Sequence, residues 1–129
     1  MCTKVQTKER NMYELIQHLI AFKYSCKINH WSTDSYSNHL LYDRLTEDLD
    51  TWADNIAESH FMANDKKKVF KSDILNSKLI EKNLVLFCEK IISYLEKLQN
   101  DDDLNEGDLS LLGDIESGFL SKLALAKLI

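Results

Sequence analysis

The chain contains no proline, and only three of its 129 residues are glycine. Proline ends an α-helix because its nitrogen carries no hydrogen and its ring clashes with the preceding turn, and glycine weakens a helix through its backbone freedom. A chain that nearly lacks both residues can form long, uninterrupted helices. The sequence therefore predicts an all-α protein whose helices are separated by short polar segments.

Composition and charge narrow the class of protein further. The chain is 44% hydrophobic and 29% charged, as in ordinary globular domains, and its net charge of -5 argues against a general nucleic-acid-binding protein. No apolar run is long enough to span a membrane, and the start, MCTKVQTKER, lacks the apolar core of a signal peptide. The three cysteines form no C-x-x-C pattern, which favours a reduced cytoplasmic setting. We predict one cytoplasmic domain over residues 1–129.

Apolar residues recur at three- and four-residue intervals in four segments, which predicts four helices. The predicted helices run from about Thr7 to Asn29, from Asp34 or Ser35 to Phe61, from Ser72 or Asp73 to Leu98, and from near Asp108 to the C-terminus. The predicted core stripes are Met12, Leu15, Leu19, Phe22 and Cys26 in the first helix, and Leu41, Leu45, Leu49, Trp52 and Ile56 in the second. Four such helices predict an antiparallel four-helix bundle. Gly113 and Gly118 lie inside the last helix, either as tolerated glycines or as points of close helix approach.

The second helix also carries a stripe of histidine and carboxylate side chains. At about 100° per residue, this ligand stripe lies between about 160° and 260° from Leu41, whereas the core stripe lies between about 20° and 80°. Its histidine end consists of His39 and Asp43, and its acidic end consists of Asp54 and Glu58. We expect these side chains to point away from their own bundle, unlike inward-facing di-iron sites. A solvated helix surface is the alternative interpretation.

The spacing within the ligand stripe requires a second copy of the chain if the stripe is to bind a metal ion. His39 and Asp54 are fifteen residues apart in the sequence, which is roughly 22 Å along a helix axis. Two antiparallel copies, related by a two-fold axis near Asp48 and Leu49, would bring the histidine end of one beside the acidic end of the other. His30, at the end of the first helix, would complete the histidine end.

The donor types indicate which metals such a site would take. Imidazole nitrogens with carboxylate oxygens suit Fe(II), Mn(II) or Zn(II). Carboxylates gathered on one surface repel each other, and a bound cation relieves that repulsion. His60 points about 200° away from Glu58 on the helical wheel and is left out of the candidate ligands.

The stretch from His30 to Glu58, HWSTDSYSNHLLYDRLTEDLDTWADNIAE, resembles the signature of the Dps family, the DNA-protection mini-ferritins. That family carries a His-Trp pair at the end of its first helix. A second His opens the second helix, with an acidic residue four positions later and Asp-x-x-x-Glu beginning fifteen positions beyond that His. His39, Asp43, Asp54 and Glu58 stand at these intervals. The segment from Asp103, DLNEGDLSLLGDIE, resembles the family's last turn and helix.

The resemblance implies a ferritin-like subunit in a homo-oligomer, a two-fold dimer at minimum and a dodecamer in the family. It implies a ferroxidase that oxidises Fe(II) with peroxide or dioxygen, stores iron as a ferric mineral and protects against oxidative damage. The implied iron ligands, which are also the catalytic residues, are His30, His39 and Asp43 from one subunit and Asp54 and Glu58 from its two-fold mate.

This sequence departs from the family pattern in two places. The two histidines are nine residues apart, three fewer than in the family, which puts the place of His30 in question. The connector after Asn64 is short for the small helix that the family places between its second and third helices, so the assembly could differ from a dodecamer. A non-catalytic ferritin-like oligomer, acting as a structural or partner-binding module, is the alternative function.

DNA binding is not expected, although the resemblance raises it. The basic residues Lys66, Lys67, Lys68 and Lys71 form one small cluster, and few others lie near the N-terminus. So few phosphate contacts would give weak, salt-sensitive binding. We therefore interpret the lysine cluster as part of a solvated loop and not as a DNA-binding surface.

Overall fold

The computed structural model describes the backbone of residues 3–63, 83–100 and 104–128, and the side chains of these residues from Met12 onward. Within these ranges the chain forms four α-helices and no strand. The helices are α1 (Thr3–Ser32), α2 (Tyr36–Ile56), α3 (Leu84–Gln99) and α4 (Glu106–Leu128), and α2 continues directly into a π-helical turn, Ala57–Met62. The all-α prediction is confirmed.

Polar capping residues set where the helices begin. The hydroxyl of Ser35 accepts a hydrogen bond from the Asn38 N–H at 3.2 Å, so α2 begins where its predicted cap lies. The predicted start of the third helix, at Ser72 or Asp73, lies outside the described residues. In the described part of the chain, α3 follows Asn83, whose side-chain oxygen caps its first turn.

Every residue of the two predicted core stripes is buried except Trp52, which is partly buried and packs against the same core. Residues of the two stripes that expose 4% or less of their surface are Met12, Leu15, Leu19, Phe22, Cys26, Leu41, Leu45, Leu49 and Ile56. They share one core with residues of the other two helices, among them Phe87, Cys88, Leu95, Leu112, Ile115 and Phe119. Burying one large apolar side chain contributes roughly 1.5–3 kcal/mol, so this core is the main source of stability.

The fourth helix approaches the second closely at one glycine. A Cβ atom added at Gly118 would overlap the indole of Trp52, whose Cη2 atom would lie 2.8 Å away. The same indole packs against Phe119, with ring centroids 4.9 Å apart. Gly113 is different, because its nearest neighbour would be Gln99 Oε1 at an ordinary 3.7 Å. Gly118 therefore serves close helix approach, whereas Gly113 is a tolerated glycine.

The helices pack chiefly in two pairs. α1 lies against α2 and α3 against α4, and α2 also contacts α4. Lys23 of α1 pairs with Asp50 of α2 at 2.6 Å, and Lys122 of α4 pairs with Asp48 of α2 at 3.0 Å. In the described part of the chain, none of the helices is both long and apolar enough to cross a membrane.

Candidate metal site

His30 and His39 face each other across the turn between α1 and α2. Nδ1 of His30 lies 2.8 Å from the backbone oxygen of His39, and Nδ1 of His39 lies 2.8 Å from the backbone oxygen of His30. The two rings are stacked, with centroids 3.7 Å apart and planes 20° from parallel. A carbonyl oxygen only accepts hydrogen bonds, so both Nδ1 atoms carry a hydrogen. Each neutral ring therefore keeps its lone pair on Nε2.

This hydrogen bonding is the arrangement usually found for a metal-binding histidine. A ligating imidazole usually donates its other ring N–H to a carboxylate or a backbone carbonyl, which fixes both its tautomer and its orientation. His30 and His39 are each half-buried, so their rings are held by the protein without being sealed inside it. The short turn thus brings His30 to His39 instead of drawing it away.

The polar residues between the two histidines set the path of this turn. The Thr33 N–H donates to the Asn29 carbonyl at 2.9 Å, and the Ser35 N–H donates to the Thr33 hydroxyl at 3.2 Å. Tyr36 follows, and its ring lies nearly parallel to that of His39 at 6.3 Å. Residues 33–36 and His39 line an open cavity of about 260 Å³. The histidine end therefore lies next to space that solvent and small ions can enter.

The acidic residues of the ligand stripe lie on the surface, as the helical wheel predicts. Asp43, Asp54 and Glu58 are all exposed, and none makes an ion pair with a described residue. Asp54 borders a cavity of about 210 Å³ that is also lined by Lys23. Among the residues that the structure describes, no three His, Cys, Asp or Glu side chains are close enough to hold a metal ion. The two histidines therefore lie together without Asp43 joining them in a three-residue group. Asp54 is fifteen residues beyond His39 on the same helix, which is roughly 22 Å along its axis.

An exposed apolar surface borders the ligand stripe. Tyr24, Ile28 and Trp31 follow each other at helical spacing along α1 and are 54%, 59% and 70% exposed. Tyr24 lines the same cavity as Asp54, so this α1 apolar stripe lies on the same side of the molecule as the acidic end. Contiguous exposed apolar surface often marks a contact site for another protein.

His60 and Asp108 form a buried pair that sequence reasoning missed. They are 1% and 4% exposed, and His60 Nδ1 lies 3.2 Å from Asp108 Oδ1. The helical wheel placed His60 near 100° from Leu41, at the border of the core stripe, and that position was the available signal. Nothing in the acidic segment around Asp108 indicates that this carboxylate is buried.

The sequence matches no protein-family model, and no curated protein or solved structure shows significant similarity to it.

Proposed function

We propose that this chain is a Dps-like mini-ferritin subunit that binds Fe(II) at a site shared by two copies, oxidises it with peroxide or dioxygen, and keeps the ferric product as a mineral. The reciprocal hydrogen bonds of His30 and His39 carry this proposal, because they leave an Nε2 lone pair on each ring. Those nitrogens stand at one end of a stripe whose other end is acidic. Nitrogen and carboxylate donors together suit Fe(II).

The order of contacts between α1 and α2 supports an antiparallel pair at the start of the bundle. Lys23 of α1 meets Asp50 of α2, and His30, later in α1, meets His39, earlier in α2. Contacts that advance along one helix while they retreat along the other belong to helices of opposite direction. The first two helices of a ferritin-like subunit are related in this way.

The contacts of α3 support the ferritin-like topology more specifically. The ring of His18 packs edge-on against Tyr94 at 5.4 Å, and Phe22 stacks on Phe87 at 3.4 Å. This order supports an arrangement in which α3 is antiparallel to α1 and parallel to α2. Ferritin-like bundles join two parallel helices by one long crossover connection. Residues 57–83, of which the structure describes 57–63 and 83, separate α2 from α3 here.

The α1 apolar stripe supports a two-fold dimer as the functional unit. It consists of Tyr24, Ile28 and Trp31, and it lies on the side of the molecule where the ligand stripe is exposed. If two copies meet about an axis level with Asp48 and Leu49, the histidine end of each reaches the acidic end of the other. Apolar and aromatic side chains at the centre of such a contact would stabilise it. Further association, as in the dodecamers of the family, would enclose the mineral.

In such a site, each side chain has a defined task. His30 and His39 would donate through Nε2 from one copy, Asp43 of that copy would supply a carboxylate, and the partner copy would present Asp54 and Glu58. The carboxylates attract Fe(II), the substrate, and its charge relieves their mutual repulsion. Two Fe(II) ions supply the two electrons that, with two protons, reduce one hydrogen peroxide to two waters. Oxidation in pairs avoids release of the hydroxyl radical that one-electron reduction gives.

Replacing both residues of the acidic end tests this function. Metal-free protein would be loaded with Fe(II) without oxygen, peroxide added, and ferric absorbance recorded against buffer. We expect fast, saturable oxidation by the parent and the buffer rate for Asp54→Asn/Glu58→Gln. Glu47→Gln is the matched control, because Glu47 is an exposed acid on the same helix and is not a proposed ligand. A double variant that oxidises Fe(II) at the parent's rate would contradict the assignment of these ligands.

A non-catalytic ferritin-like oligomer is the second candidate function. The α1 apolar stripe favours it, because that surface could join copies of the chain without any use of the histidines. In that case the parent oxidises Fe(II) no faster than buffer does, and chelators leave both assembly and stability unchanged.

A further inference from the structure

We propose that the buried pair His60–Asp108 is a positioning device that holds the π-helical turn Ala57–Met62 and thereby places Glu58 at the acidic end of the metal site. The role of Glu58 in metal binding rests on the proposed function. The hold on the turn is a property of the fold and can be tested separately.

The π-helical turn changes which side chains at the end of α2 face inward. The Ala63 N–H donates to the Glu58 carbonyl, five residues back, at 2.9 Å. In a continuous α-helix Phe61 would lie about 200° from Leu41, opposite the core stripe. In the structure Phe61 is 0% exposed, because the wider turn directs it into the core. Single π-helical turns within α-helices are rare and occur often at functional sites.

Among the described residues, two contacts help to hold the residues that follow Glu58 in place. One is the burial of Phe61, which is apolar and has little directional preference. The other is the hydrogen bond between His60 and Asp108, which is directional and joins the turn to α4. Asp108 is itself fixed at the start of α4, where its N–H donates to the side chain of Asn105 at 2.7 Å. Ile56, just before the turn, is also buried. Glu58 therefore lies between a buried residue on its N-terminal side and the buried His60 and Phe61 on its C-terminal side.

The chemistry of the pair favours positioning over stabilisation. The second carboxylate oxygen of Asp108, Oδ2, is buried and has no hydrogen-bond partner among the described residues. Leaving a buried polar atom unmatched lowers stability, and replacing a buried polar pair by apolar residues is often neutral or stabilising. If the pair served stability alone, apolar side chains could replace it without a change in the π-helical turn or in metal binding. Such unmatched groups call for another explanation, and the geometry of the turn provides one.

Two variants separate these roles. His60→Leu/Asp108→Ala replaces both partners by apolar side chains, so the core stays filled without an unpaired charge. Asp108→Asn is the conservative control, because the amide oxygen can still accept the hydrogen bond from His60 Nδ1. One readout is hydrogen exchange of the Ala63 amide, with the Leu49 amide in the middle of α2 as the internal control. The other is the Fe(II) dependence of oxidation, which separates KM from kcat.

We expect the double variant to exchange the Ala63 amide faster than the parent while Leu49 is unchanged. Its KM for Fe(II) should rise by about tenfold with kcat nearly unchanged. Replacing a residue that orients a metal ligand typically lowers metal affinity by about tenfold or more. Asp108→Asn should match the parent in both readouts. Parent-like exchange at Ala63 in the double variant would overturn the inference. If the parent oxidises no Fe(II), the proposed function fails, and Ala63 exchange alone still decides whether the pair holds the turn.

Discussion

Gly118 allows the indole of Trp52 to lie directly on the backbone of α4. We predict that Gly118→Ala lowers the free energy of unfolding by about 1–3 kcal/mol, because the added methyl group forces the indole or the helix to move. Gly113→Ala has room and should be neutral or stabilising by about 0.5–1 kcal/mol through higher helix propensity. Urea unfolding of both variants measures this. Equal effects at the two positions would show that the contact with Trp52 is unimportant.

His18 should make stability depend on pH. Burial against Tyr94 lowers its pKa below the ordinary 6.5, and the Glu14 carboxylate opposes part of that effect. The unfolded chain therefore takes up this proton at a higher pH than the folded protein does, so stability falls as pH falls below about 6.5. We predict that His18→Leu loses less stability than the parent between about pH 7.5 and about pH 5.5. Urea unfolding at both pH values checks this, and equal losses in the two proteins would contradict it.

The residues of the site differ in how far the sequence could predict them. The exposure of Asp43 and Asp54 follows from helical periodicity, because α2 is regular through both positions. The mutual hydrogen bonds of His30 and His39 depend on the backbone path of a three-residue turn, which periodicity does not describe. His60 was missed because its partner lies 48 residues away in the sequence.

At the scale of the helices, Ser35 determines where α2 begins and so where His39 stands. Its hydroxyl accepts a hydrogen bond from the Asn38 N–H, and its backbone oxygen accepts one from the His39 N–H at 2.9 Å. We predict that Ser35→Ala destabilises the protein by about 1 kcal/mol through loss of the cap. Ser37→Ala is the control, since Ser37 is exposed within the first turn and should change stability by less than about 0.5 kcal/mol. Thermal unfolding compares them, and equal shifts would mean that Ser35 does not act as a cap.

The helices illustrate what a pattern of apolar residues can and cannot predict. Apart from the partly buried Trp52, the core stripes of α1 and α2 are buried as predicted, because a regular helix repeats its inner face every three or four residues. The π-helical turn was not predicted, because nothing in the sequence AESHFM distinguishes a π-helical turn from an α-helical one. The π-helical turn depends on whether the core can accept the side chains of His60 and Phe61, and this is determined by tertiary packing.

At the scale of the whole molecule, the separation of the two ligand ends has the largest consequence. Each copy carries both ends of the proposed site but does not bring them together among its described residues. The proposed function therefore predicts that Fe(II) oxidation requires two copies, which would meet at the α1 apolar stripe. The sequence could predict the need for two copies from the distance between the two ends of the ligand stripe along the helix. It could not predict the α1 apolar stripe, because exposure of Tyr24, Ile28 and Trp31 depends on how α1 packs.

Mixing two inactive variants tests the shared site most directly. His39→Ala damages only the histidine end, and Asp54→Asn/Glu58→Gln damages only the acidic end. A mixed dimer has one site with both ends damaged and one intact site. After unfolding and refolding the two variants together in equal amounts, about a quarter of all sites should be intact, because half of the dimers are mixed. We predict that the mixture recovers about a quarter of the parent's rate of Fe(II) oxidation by peroxide, while each variant alone stays at the buffer rate. If mixed oligomers form and no activity returns, the site is not shared between two copies.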